Sequence, residues 1–66
     1  MNADAILQEI RGIEFCLTQI EKDATELLGK GDFWQARHAL TMTASARESL
    51  ARIVTRCEMA LAEVGQ

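Results

Sequence analysis

Apolar residues recur along the first half of the chain at Ala3, Ile6, Ile10, Ile13, Leu17, Ile20, Ala24 and Leu27, and the spacing alternates three and four without a miss. Such a seam marks an α-helix that packs lengthwise on another helix. A comparable seam follows through Ala36, Leu40, Thr43, Arg47, Leu50, Val54, Cys57, Leu61 and Val64. One break separates them, Gly29-Lys30-Gly31-Asp32. The pattern predicts a helix over 3–28, a turn at 29–32 and a helix over 33–64, forming a single domain. A turn this short folds the helices back antiparallel. The expected fold class is all-α, a coiled-coil-like two-helix hairpin.

Local signals fit these ends. Gly29 suits the left-handed position that closes a helix. Asp32 suits the N-cap of the second helix, with Gln35 placed to complete a capping box. Asn2 or Asp4 can cap the first helix, and Gly65 can end the second. Gly12 lies off the seam inside the first helix, where glycine costs about 1 kcal/mol. It either sits on the surface or admits another backbone.

Folding at the turn sets Leu27 near Ala36, Ala24 near Leu40, Leu17 near Arg47, Ile13 near Leu50, Ile10 near Val54 and Ile6 near Cys57. Charge supports this register. Six acids and two bases lie between Asp4 and Glu26, whereas four arginines and three acids follow Phe33. Arg47 then falls near Glu14 and Arg52 near Glu9. Exposed pairs of this kind contribute about 0.2–1 kcal/mol each and set register more than stability.

The second helix carries an additional stripe, Ala39, Ala46, Ile53 and Ala60, with Ala44 and Ala51 on its other flank. Its apolar arc is wider than one partner helix covers, and the alanines let a further helix approach closely. The hairpin is therefore expected to complete a four-helix bundle, as a homodimer or with a helical partner protein. Ala39, Ala46, Arg47, Ile53 and Ala60 form the candidate partner-binding face. Arg47 has two readings. It snorkels to meet Glu14 or Glu21, or it is a polar seam residue that selects register or partner. Phe33 and Trp34 point about 100° apart. One is expected to pack under Leu27 or Leu28, leaving the other as a candidate anchor, and His38 is read as a surface residue beside Trp34.

Composition narrows the chemistry. A chain of 66 residues buries only about 60% of its unfolded surface, so its own core is marginal. The net charge of −3 argues against nucleic acid, including a reading through Arg47, Arg52 and Arg56. The start, MNADAILQEI, lacks the pattern of a signal peptide, and no apolar run approaches the roughly 18 residues of a membrane span. A cytoplasmic protein with reduced thiols is expected. In the register above, Cys16 and Cys57 lie on the order of 15 Å apart, beyond the about 7 Å reach of a disulfide. Both are read as buried small hydrophobes. With His38 they make too few ligands for a structural zinc site. Neither a phosphate-binding loop nor a nucleophile–base constellation is present, so no cofactor and no enzymatic activity are expected.

Two resemblances add to this reading. LLGKGDFWQARHAL resembles the middle of one tetratricopeptide repeat, with Gly31, Phe33, Ala36 and Leu40 at matching positions. With no second copy in the chain, it is read as shared helix-turn-helix chemistry. Gly31-Asp32, Gln35 and the stretch Ala46-Arg47-Glu48-Ser49-Leu50-Ala51-Arg52-Ile53-Val54 are similar to the small hairpin co-chaperones of type III secretion needle subunits. That resemblance implies docking on a larger helical-repeat chaperone. The expected function is a non-enzymatic protein–protein interaction module, an adaptor or co-chaperone. The alternative is a small phage- or plasmid-type regulator that masks a partner's surface, with the acidic first helix as its contact face.

Overall fold

A computed structural model describes residues 2–64, apart from the side chain of Val64. The expected cap at Gly65 and the seam side chain of Val64 lie outside these described residues. Two helices make up the fold, α1 over Ala3–Gly29 and α2 over Phe33–Val64. They lie side by side in a rod of 53 × 15 × 14 Å. The Asn2 side chain caps α1, accepting from the Ala5 N–H at 3.2 Å.

The turn departs from expectation in one residue. Gly29 is still helical, and the positive φ of 87° falls on Gly31. The Gly31 N–H donates to the Leu28 carbonyl at 3.1 Å and the Asp32 N–H to the Leu27 carbonyl at 3.0 Å. These crossed bonds define a Schellman closure, whose left-handed residue lies past the helix end. Asp32 then serves both helices. Its carboxylate accepts from the Gln35 N–H at 3.4 Å, opening α2. The reciprocal arm of a capping box, from Gln35 back to the Asp32 N–H, is not made, because Leu27 already takes that donor.

The buried residues recur every seven positions: Ala3, Ile10, Leu17 and Ala24 on α1, and Ala36, Thr43 and Cys57 on α2. Leu50 continues the α2 line half-buried. One line of each helix thus faces its neighbour squarely. The other half of the α1 seam, Ile6, Ile13, Ile20 and Leu27, turns toward a flank. Two helices can cover only the middle of an apolar arc this wide, and on α2 the middle line is mostly small residues. Thr43, at 3% exposure, donates its hydroxyl to the Leu40 carbonyl at 3.0 Å. It satisfies its polar group within α2 and also lies within hydrogen-bonding reach of the Glu21 carboxylate across the hairpin.

Candidate protein-docking surface

The two sides of the hairpin differ in chemistry. On one flank Ala5, Ile6, Glu9, Ile10, Ile13, Leu50 and Ile53 line an open groove. Helical spacing continues this flank through Ile20 and Leu27 on α1, and through Ala39, Ala46 and Ala60 on α2. Ile13, Ile20 and Ile53 are 45%, 44% and 42% exposed, whereas the three alanines are half-buried. The flank is a ridge of isoleucines beside a shelf of alanines, with no ion pair across it among the described residues.

The opposite flank is closed at its middle by charge. Arg47 donates from Nε to Glu21 Oε2 and from Nη2 to Glu21 Oε1, both at 2.8 Å. Its Nη2 also donates to Thr18 Oγ1 at 3.0 Å. The two-pronged hydrogen bond from Arg47 holds the Glu21 carboxyl below its ordinary value of 4.5, against the partial desolvation that opposes it. The expected neighbour Glu14 gives way to Glu21 for a geometric reason. Side chains lean toward the N-terminus of their own helix. On α2 that direction is toward the turn, so Arg47 reaches Glu21, while Glu14 leans away from it. Arg47 therefore separates from Ala39, Ala46, Ile53 and Ala60, which share the other flank. Glu21 is one of the two partners expected of a snorkelling arginine, and the same bonds, made across the hairpin, are also those that a register-selecting residue would make.

Arg52 also departs from its expected partner. It sits on the outer face of α2, where its Nη2 donates to Ser49 Oγ at 3.4 Å, and it makes no ion pair with Glu9. Cys57 is buried as expected, but Cys16 is exposed; both are free. Cys16 is one turn beyond Ile13 and points away from the core, a consequence its spacing already contained. Gly12 lies on the outer face, and a Cβ there would meet nothing within 4 Å.

At the turn end both aromatic residues stay exposed, Phe33 at 66% and Trp34 at 83%. Phe33 lies beside Leu28 as one of the readings required, but as the wall of a shallow apolar hollow with Leu40 and Ala44 and not beneath it. Trp34 stands on the outer face with Arg37, His38 and Thr41. His38 is exposed there.

Among the described residues no group of three His, Cys, Asp or Glu side chains could hold a metal ion, and no helix is long and apolar enough to cross a membrane. The hollows described above are open on the side facing solvent. Comparison with known proteins gives no matching family model, no matching curated protein and no matching solved structure.

Proposed function

We propose that this protein is a helix-docking module, a hairpin that completes its hydrophobic core by laying the Ile6–Ile13–Ile20 ridge and the Ala39–Ala46–Ile53–Ala60 shelf against further helices. The observation that carries this reading is the shared exposure of Ile13, Ile20 and Ile53 on one flank that no ion pair bridges among the described residues. Scattered surface apolar residues need no explanation, but a contiguous row rimmed by polar side chains marks an interaction surface. The core supports the same conclusion. Among the described residues, the buried large aliphatic side chains are Ile10 and Leu17, beside alanines, a threonine and a cysteine, with Leu50 half-buried. So thin a core gives a short chain little stability of its own.

The likeness of the turn and of Ala46–Val54 to needle-subunit co-chaperones favours a helical protein as the object of docking, with a holding or adaptor role. Phe33, on the Arg47 side with Leu28 and Leu40, and Trp34, on the outer face, lie off this flank and would serve as separate aromatic anchors at the turn end.

The test is absolute mass by light scattering across a wide concentration range, combined with thermal melting at each concentration. The reading expects one of two outcomes. Either the mass exceeds 7.3 kDa and the melting temperature rises with concentration, or the chain is a monomer with a broad, low-temperature melt. A monomer that melts cooperatively, well above ordinary growth temperatures and independently of concentration, would overturn it.

A further inference from the structure

Resting on that reading, we infer that the flank's occupant is a second copy of this chain, in a four-helix bundle whose two-fold axis runs parallel to the helices, so that α1 of each copy lies on α2 of the other. Three observations carry the inference.

The first is size. One whole side of the rod, 53 Å by 15 Å, has a footprint of roughly 800 Å², so a copy seated along its full length would cover about the area per partner of a standard stable interface.

The second is shape. Within the hairpin, α1 residues sit level with α2 residues whose numbers sum to about 64, as the Thr18–Arg47 bond and the groove formed by Ile13 with Leu50 show. A parallel two-fold axis preserves these levels between copies. Ile6 then meets the partner's Ala60, Ile20 its Ala46, Leu27 its Ala39, and Ile13 fits beside its Ile53. Large side chains fall on small ones at most layers, which close packing requires. A two-fold axis perpendicular to the helices would place α1 on α1 and α2 on α2. That arrangement sets Ile13 against Ile20 and Ala39 against Ala60, overfilling one side of the interface and leaving the other hollow.

The third is charge at the rim. Glu9, Cys16 and Asp23 border the flank on α1, one helical turn outside its isoleucines, and Met42, Ser49 and Arg56 border it on α2. In the parallel arrangement Glu9 lies level with the partner's Arg56, twice by symmetry. Neither residue has an ion-pair partner among the described residues of one hairpin. In the perpendicular arrangement the acidic rims oppose each other instead.

The free thiol of Cys16 makes the two arrangements separable. The parallel axis sets Cys16 level with the partner's Ser49. The perpendicular axis sets Cys16 against the partner's Cys16, because residue 16 is the midpoint of α1. The experiment compares the wild-type chain with Ser49→Cys in a glutathione redox buffer, reading mass by light scattering and disulfides by peptide mapping. A dimer is expected in both. In the variant, Cys16 of each copy should cross-link to the thiol introduced at position 49 of the other, and the wild type should form no Cys16–Cys16 bond.

A Cys16–Cys16 bond, or a dimer that cross-links at neither pair, would overturn the arrangement while leaving the docking reading standing. A monomer would overturn the second copy altogether, and its melting behaviour would then decide the docking reading separately. As a check independent of thiols, Glu9→Arg should weaken association on the order of tenfold by replacing two rim attractions with repulsions. Adding Arg56→Glu to that variant should restore it. Failure of the double variant to recover would count against the pairing.

Discussion

Ile53 offers the most direct quantitative test of the exposed flank. Burying an isoleucine side chain completely contributes roughly 1.5–3 kcal/mol. Ile53 keeps 42% of its surface in the free hairpin, so about 1 kcal/mol remains to be gained on docking. In a symmetric dimer Ile53→Ala removes that gain twice, about 2 kcal/mol, which is roughly a 30-fold rise in Kd.

Met59 is the control. It is 60% exposed but stands on the outer face of α2, away from both flanks, so Met59→Ala should leave Kd unchanged. Sedimentation equilibrium at micromolar concentrations measures both variants, and circular dichroism verifies that each remains helical. Equal weakening by the two substitutions would mean that apolar surface in general drives association. No weakening by Ile53→Ala would mean that this flank does not dock. Either result refutes the assignment of the surface.

Other substitutions test the remaining structure. Gly12→Ala, where the added methyl meets nothing, should stabilise the hairpin by about 0.5–1 kcal/mol in urea titration; destabilisation would reveal another backbone packed at that point. Gly31→Ala should cost about 1–2 kcal/mol in the same titration, since its φ of 87° strains any residue with a Cβ. Glu21 has its pKa lowered in the folded state. Its contribution to stability is therefore complete above the ordinary value of 4.5 and is lost as pH falls below it toward the folded-state pKa. The melting temperature should drop over that interval, and Glu21→Gln should make the drop shallower while lowering the melting temperature at neutral pH. A thiol reagent should label exposed Cys16 rapidly and buried Cys57 only on unfolding, as mass spectrometry of partially labelled protein would read directly.

Much of this architecture is legible in the spacing of apolar residues. The alternation of three and four from Ala3 to Leu27 specifies a helix and the side it packs on, and the short turn then determines which residues lie level. What spacing leaves open is which half of the seam faces inward. Ile10 and Leu17 do, and Ile13 and Ile20 do not, because the answer depends on the width of the arc on the other helix. The left-handed residue was ambiguous for a local reason. Gly29 and Gly31 flank Lys30 equally well in sequence, and only the bonds to Leu27 and Leu28 decide between them. The partner of Arg47 required the lean of side chains along antiparallel helices, a three-dimensional property. The outward position of Cys16, by contrast, was available from its place one turn beyond the seam.

The distribution of side-chain size ties the fold to the docking reading. Ala36, Thr43 and Cys57 form most of the α2 line that faces α1, and such small residues bring the helices close without filling much volume. Bulk that a self-sufficient hairpin would place between its helices is instead carried on the flanks, with Ile13, Ile20 and Ile53 the exposed isoleucines of one side. The other side is bridged by Arg47, Glu21 and Thr18, and covering that bridge would require desolvating a charged pair for little return. The two flanks therefore differ at their middles: one presents uncovered isoleucines, the other a charged bridge. Stability and association then draw on the same isoleucines, so loss of a docking partner should appear first as loss of a cooperative fold.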